Sequence, residues 1–284
     1  MAAALSRYHS GALLYRISVY LFLAGLAAIF MFPFYWLLIS AFKAKEDIFT
    51  LPPEFWPHPW RLGNFVAVFQ QTNIVRAFLN STIIAAGHCT LALFLCSLGG
   101  YAFAKYPHAP GRDKLFAFAL ATMMIPGAVL LIPTFVVLCK LHAINTYWAM
   151  IVPGSASAFG IFWMRQFAAE NVHDDLLDAA RIDGCSRLGT LFRVVLPLSK
   201  PPIVTITVFN VIGSWNSFFW PLIVTNSDRI RPLQVGLAYF SREQSTNYTL
   251  LMAATTMAIV PLVILFFFAQ QQIVQSQARS GLKE

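Results

Sequence analysis

The residues best placed to do specific chemistry form a charged segment between two long apolar stretches. It reads DAARIDGCSRLGTLFRVVLPLSKP, from Asp178 to Pro201. A polar connector of this size in an apolar chain typically serves as a docking surface, because its carboxylates and guanidinium groups can pair with a partner protein. The alternative is that it lies on lipid headgroups, with its arginines attracted to anionic lipid.

Catalytic and metal-binding patterns are missing from the sequence. No GxxxxGK[ST] or LSGGQ-like motif occurs, so the chain is not expected to hydrolyse ATP. Cys89, Cys96, Cys139 and Cys185 lack CxxC or metal-ligand spacing. His88 has no carboxylate within the apolar stretches to orient it, so we interpret it as a packing residue. We therefore expect no enzymatic activity, no cofactor and no metal site.

The composition is that of a membrane protein. Hydrophobic residues make up 58% of the chain and charged residues 11%, with a mean hydropathy of +0.64, whereas about a quarter of residues are charged in soluble domains. The net charge of +8 is spread over short loops. It forms no basic stripe, so nucleic-acid binding is not expected.

Six apolar segments are long enough to cross a hydrocarbon core, which requires roughly 20 residues in a helix. They must be helical, because lipid offers no partner for backbone amides. None contains Asp, Glu, Lys or Arg. An ion-coupled secondary transporter normally needs an ionisable side chain within the membrane, so this alternative function is less favoured. We predict an all-α integral membrane protein forming one domain, 1–284, with spans at 17–42, 77–103, 115–139, 144–164, 202–224 and 248–270.

The distribution of basic residues predicts the orientation. With the N-terminus in the cytoplasm, twelve of the 20 Lys and Arg residues lie inside and eight outside. Both termini and the charged segment are then cytoplasmic. Residues 43–76 and 225–247 form outer loops, where an external partner could bind or which could simply connect helices.

Residues 169–200 are predicted to form a helix-turn-helix hairpin. Val172, Leu176 and either Ala179 or Ala180 recur at helical spacing and predict one apolar face. Asp174 and Asp175 lie at the favourable N-terminal end of that helix. Gly184 follows its last turn, where a left-handed C-cap is common.

The second helix of the hairpin has equally clear signals. Ser186 is a plausible N-cap, and Pro197 is expected to end the helix. Its apolar face is predicted from the spacing i, i+3, i+4 and i+7: Leu188, Leu191, Phe192 and Val195.

The fifth apolar segment combines amides, hydroxyls and aromatic rings. Asn210 and Ser214 are four residues apart and share a helix face, which Ser217 extends. Asn216 lies about 140° from Ser214, so both could line one cavity only if the helix bends. Such amides either face a cavity or join helices together. Bends are suggested by several residues: Pro126, Pro133, Pro153, Gly213, Pro221 and Pro261.

The charged segment resembles the EAA loop of bacterial ABC importer permeases. Asp178 occupies the usual Glu position, Ala179 and Ala180 match directly, and Asp183 and Gly184 match the family's DG pair. The ending LPLSKP also matches. The segment WNSFFWPL is similar to the WNxFxWPL pattern of the carbohydrate-uptake branch, and PFYWLLISAFK and AFLNS also resemble that branch.

This resemblance implies a type I ABC importer fold and a maltose-type second permease subunit in the bacterial inner membrane. The implied partners are a homologous permease, two ATP-binding subunits, an extracytoplasmic solute-binding protein and membrane lipid. A di- or oligosaccharide is the expected solute, with a glycerophosphodiester or glycerol phosphate as the alternative. The implied ATPase-coupling residues are Asp178, Ala179, Ala180, Asp183, Gly184, Arg187 and Leu188. The expected translocation-path residues are Asn210, Ser214, Trp215, Asn216 and Trp220.

Overall fold

All regular secondary structure in the described part of the chain is helical. The computed structural model describes residues 2–243 and 247–281, with side chains for 15–243 and 247–270. The prediction of an all-α protein is confirmed. The helices are α1 (Ala2–Ala41), α2 (Gly63–Gln71), α3 (Ile74–Lys105), α4 (Arg112–Ala121), α5 (Gly127–Lys140), α6 (Trp148–Ile151), α7 (Ala158–Asn171), α8 (Asp174–Ile182), α9 (Arg187–Leu198), α10 (Lys200–Trp215), α11 (Phe219–Val224), α12 (Leu233–Glu243) and α13 (Tyr248–Gly281).

Three of the described helices are long and apolar enough to cross a membrane unbroken: Tyr15–Ala41 within α1, the whole of α3, and Tyr248–Gln270 within α13. Two pairs of consecutive helices, each with a sharp bend between its members, are also long and apolar enough when each pair is counted as one span. Arg112–Met124 meets α5 at 105°, and α9 meets α10 at 85°. The number of spans, six, stays a prediction.

Three predicted spans are interrupted rather than continuous. Segment 115–139 breaks at Pro126, which lacks an amide donor and forces the preceding residue into an extended conformation. Segment 144–164 holds α6, the non-helical residues 152–157 and the start of α7. Segment 202–224 breaks between α10 and α11. The bends suggested by Pro126 and Pro153 are confirmed, whereas Pro133 and Pro261 lie inside α5 and α13.

The described residues divide into two compact units. In the first, residues up to Thr72 with Phe240–Met257, the proline-rich loop packs on the end of α1. Lys43 is buried there: its ammonium donates to the Glu54 carbonyl and lies 4.4 Å from the centre of the Trp36 ring. The amide of Asn64 donates to the carbonyls of Ala41 and Lys43, at 2.8 and 2.9 Å. These contacts hold the loop in a defined position within the first unit.

The second unit, Asn73–Tyr239 with residues from Ala258 onward, is organised around α3. Three buried clusters follow this helix from one end to the other, and they include Ile84, Cys96 and Tyr101 respectively. The helices α7 and α10 pack along α3. Gly100 brings α3 and α7 into close contact, since a Cβ there would overlap Met164.

Candidate functional site

The charged hairpin, α8 and α9, is joined to the end of α3 by an ion pair. Asp174 lies in the first turn of α8, and the Lys105 ammonium donates to its carboxylate at 2.9 Å. This hydrogen bond and the charge of Lys105 lower the pKa of the Asp174 carboxyl below its ordinary value. The start of the hairpin is therefore held against the helix that organises the second unit.

The turn of the hairpin is fixed by Gly184 and Ser186. Gly184 has φ +77°, its amide donates to Arg181 at 3.0 Å, and the Cys185 amide donates to Ala180 at 2.9 Å. These two bonds form a Schellman C-cap, which requires a left-handed residue at this position. The Ser186 hydroxyl then accepts from the Gly189 amide at 3.1 Å and caps α9. Both predicted caps are confirmed.

Only part of the predicted apolar faces of the hairpin is buried. Val172, Leu177, Ala180, Leu191 and Val195 are buried, and most of them pack with Tyr101 and Ala168. Other large apolar side chains of the hairpin point outward instead: Leu198 lies at the end of α9, and we call the remaining four the apolar rim. The rim comprises Leu176 (43% exposed), Ile182 (87%), Leu188 (54%) and Phe192 (51%).

Leu176, Leu188 and Phe192 share the predicted apolar faces but are exposed. Of the two alternatives Ala179 and Ala180, Ala180 is buried and Ala179 is exposed. Helical spacing shows that these residues lie on one side of a helix. It cannot show which of two apolar sides meets the core, because that depends on the neighbours α3 and α7. Pro197 does not end α9 as predicted but lies inside it, and the helix ends at Leu198, before the 85° bend.

Most of the expected coupling residues lie on the outer surface of the hairpin. Asp178, Asp183, Gly184 and Leu188 are exposed. The Asp178 carboxylate accepts from Arg181 at 2.7 Å, so it is already paired within α8. Arg187 is exposed but lies over the Tyr106 ring, 5.4 Å from its centre, and so also joins α9 to the end of α3.

A partly enclosed cavity of about 160 Å³ lies where α3 passes the break between α10 and α11. Ser214 and Trp220 line it, as the sequence predicts for path residues, and so do Ser217 and His88. The indole nitrogen of Trp220 donates to the Ala149 carbonyl at 2.8 Å, which fixes the ring. The interruption between α10 and α11 brings these side chains together.

The other three expected path residues do not line this cavity. Trp215 is buried, and its indole nitrogen donates to the Ala258 carbonyl at 3.1 Å while its ring packs on Phe78. The Asn210 amide donates within its own helix to Ile206, at 2.8 Å. Asn216 is exposed at the end of α10 and accepts from Gln234 at 3.5 Å. A cavity-lining role for Trp215 and Asn210 is therefore not supported.

Asn80 is a structural residue that the spacing arguments did not single out. Its side chain is fully buried, and its amide donates to the carbonyls of Arg229 and Arg231 at 3.2 and 2.8 Å. Its oxygen accepts from the Tyr147 hydroxyl at 2.7 Å. The one available signal was an amide at the start of a long apolar run, since such a group needs partners in lipid.

Metal binding finds no support in the described residues, which contain no group of three His, Cys, Asp or Glu side chains placed to hold an ion. The described surface and cavity instead offer two kinds of site. One is an exposed surface of the hairpin with both charged and apolar side chains. The other is a polar cavity beside broken helices.

Comparison with known proteins identifies the family. The family described as "binding-protein-dependent transport system inner membrane component" matches residues 96–279. The chain is 35% identical over 263 residues to the arabinooligosaccharides transport system permease protein AraQ of Halalkalibacterium halodurans, covering 92% of this chain and 94% of that relative. It is 30% identical to the lactose transport system permease protein LacG of Rhizobium radiobacter, covering 86% and 88%.

A solved structure has the same fold. It comes from a bacterial ABC transporter involved in the import of the acidic polysaccharide alginate, with a TM-score of 0.81 and 23% identity, covering 91% of this chain and 96% of that one. The EAA motif is a feature of the matched family, whose members are permease subunits and not enzymes. The chain therefore belongs to the family of inner membrane components of binding-protein-dependent transport systems, and it is a multi-pass inner membrane protein.

Proposed function

We propose that the chain is one permease subunit of an ATP-driven importer and forms half of the translocation path for a di- or oligosaccharide. Support comes from the relatives, whose names refer to arabinooligosaccharides and lactose. The alternative solute, a glycerophosphodiester or glycerol phosphate, is less favoured. A phosphate group is usually bound by Arg or Lys, and neither lines the cavity among the described residues.

In the proposed topology the chain crosses the membrane six times, and the bent and broken helices count as spans. Both termini and the hairpin lie in the cytoplasm, as the distribution of Lys and Arg predicts. A homologous permease completes the path, two ATP-binding subunits supply the energy, and a solute-binding protein delivers the solute on the opposite side. Lipid surrounds the apolar helices.

The observation that carries the proposal is the two-sided hairpin. Its inner side is buried against α3 and α7, whereas the apolar rim and Asp178 are exposed. Exposed apolar side chains next to charged ones are typical of a protein-binding surface. The ATP-binding subunit docks there, and the buried inner side transmits its movement to α3. Asp178, Ala179, Asp183, Gly184 and Leu188 form the contact, and Ala180 and Arg187 position it.

Within the path, Ser214 and Trp220 contact the solute, with Asn216 at the adjoining helix end. Trp215 and Asn210 position α10. A sugar presents many hydroxyl groups and flat apolar faces, so hydroxyl-bearing and aromatic side chains suit it.

The docking role is tested by reversing one charge. Asp178→Lys places a second cation beside Arg181, three residues away, and presents the wrong sign to the ATP-binding subunit. We expect uptake of arabinotriose or lactose by the reconstituted importer to fall by about ten-fold or more. The amount of ATP-binding subunit that copurifies should fall with it, while the variant remains in the membrane.

The matched control is Asp178→Glu, which keeps the charge and restores the family's usual residue. It should import at no less than the wild-type rate. Normal import and normal copurification by Asp178→Lys would show that the hairpin does not dock through this residue.

A further inference from the structure

We propose that His88 is the hydrogen-bonding centre of a subsite for one sugar ring, in the cavity between α3 and the break from α10 to α11. This inference rests on the proposed carbohydrate transport. It assigns the solute contact to a residue that the sequence patterns favour only as a packing group.

The hydrogen bond of His88 determines which ring nitrogen faces a ligand. Nδ1 lies 2.9 Å from the Ile151 carbonyl, which can only accept, so Nδ1 carries the proton. In the neutral ring Nε2 is then an acceptor with a free lone pair. No group among the described residues bonds Nε2, although His88 lines the cavity. Nε2 is thus an acceptor that a ligand in the cavity can use.

The remaining polar groups of the cavity complement this acceptor. The Ser81 oxygen accepts from the Leu233 amide at 2.8 Å, so its hydroxyl proton is free to point elsewhere. Ser214 and Ser217 add two further hydroxyls. A hydroxyl group on a ligand both donates and accepts, so it can donate to His88 and accept from a serine at the same time.

The cavity wall also has an apolar part, formed by Trp220 and two prolines. Trp220 uses its only donor on the Ala149 carbonyl, so it offers the cavity carbon surface alone. Pro153 and Pro221 also line the wall and have no amide donor. A ligand with a ring of hydroxyls and a flat C–H face fits these surfaces, which is the chemistry of a sugar.

Size and charge narrow the class of ligand. A protein cavity of about 150 Å³ can hold a six-membered ring such as benzene, so a volume of about 160 Å³ suits one sugar ring and not a whole oligosaccharide. Apart from His88, the residues that line the cavity are neither acidic nor basic. The subsite therefore accepts a neutral ring, and an oligosaccharide must pass through it one ring at a time.

Two substitutions distinguish a ligand-binding role of His88 from a packing role, because the amide group of each takes the place of one ring nitrogen. His88→Asn retains a donor near the position of Nδ1 but loses the acceptor in the cavity. His88→Gln reaches the position of Nε2 with an amide oxygen. In the complete importer with its solute-binding protein, we expect His88→Asn to reduce arabinotriose uptake by about ten-fold. His88→Gln should stay within about three-fold of wild type, and the Tm of the His88→Asn complex should match wild type because it keeps the donor to Ile151.

ATP hydrolysis stimulated by the loaded binding protein should change by less than about two-fold in both variants, because the hairpin is untouched. Wild-type uptake by His88→Asn, or equal loss in both variants, would overturn the subsite while the proposed function stands. A wild-type complex that imports neither arabinotriose nor lactose would overturn the proposed function and the subsite together.

Chemical protection provides a second measurement that needs no His88 variant. Cys139 is exposed and Cys185 partly exposed, whereas Cys89 and Cys96 are buried. In a complex with Cys139→Ser, Cys185→Ser and Ser217→Cys, this chain therefore has one accessible thiol, in the cavity, and its labelling is measured on this subunit after the subunits are separated. We expect a small methanethiosulfonate to label it about five-fold more slowly during arabinotriose import than without sugar. An unchanged labelling rate in an importing complex would exclude a sugar from this cavity.

Discussion

The hairpin and the chain around the α10–α11 break adjoin each other along the sequence, yet they are held in different ways. The hairpin turn depends on bonds between near neighbours: Cys185 donates to Ala180, and Gly189 to Ser186. At the break, Trp215 bonds to a residue 43 positions away, and Trp220 to one 71 positions away. The shape of the hairpin is thus encoded locally, whereas the cavity exists only when distant helices have assembled.

The largest effect is expected at the local turn. Gly184→Pro cannot reach φ +77°, because the proline ring fixes φ near −65°. The C-cap is then lost, and the apolar rim is displaced on both sides of it. We expect solute uptake to be abolished while the variant remains in the membrane, measured by transport into proteoliposomes.

Its matched control is Gly184→Asn, since asparagine tolerates the left-handed conformation better than other residues with a side chain. This variant should retain most of the uptake. Equal transport by Gly184→Pro and wild type would mean that the turn is not part of the coupling surface.

Two neighbouring residues at the end of α10 distinguish a side chain that stabilises the fold from one that lines the translocation path. Trp215→Ala removes a buried ring and its hydrogen bond to Ala258, so the unfolding free energy should fall by about 3 kcal/mol or more. Ser214→Ala, one residue earlier, should change it by less than about 0.5 kcal/mol but reduce uptake.

Thermal unfolding of the purified complex and uptake by the same preparations measure both quantities. A stable Trp215→Ala complex with impaired uptake would instead place Trp215 in the path.

The smallest effect is expected at the Lys105–Asp174 pair. The pKa of Asp174 is lowered in the folded protein, so its contribution to stability is present above the ordinary carboxyl pKa of about 4 and is lost as pH falls through the lower folded value. Asp174 is largely exposed, so the contribution is less than about 1 kcal/mol. Amide exchange across α8 should be faster in Asp174→Asn than in wild type at pH 7, and equal in both once the carboxyl is protonated.

These contrasts also explain what the sequence could predict. The helical class, the charged connector, the caps at Gly184 and Ser186 and the bends at Pro126 and Pro153 all depend on a residue and its immediate neighbours. The burial of Leu177 rather than Leu176, the partners of Trp215 and the exposed acceptor of His88 depend on which helices become neighbours. Spacing within one helix carries no information about those contacts. The orientation across the membrane and the six spans stay predictions for the same reason.

The close approach of α3 and α7 at Gly100 has a mechanical consequence. Because the two helices are tightly packed at the level of Met164, we expect α3 and α7 to move together as one unit. Residues 152–157 and 216–218 have no continuous ladder of helical hydrogen bonds to resist bending. We therefore expect a displacement at one end of this helix pair to be taken up by bending of these two segments. Both contribute residues to the wall of the cavity that contains His88.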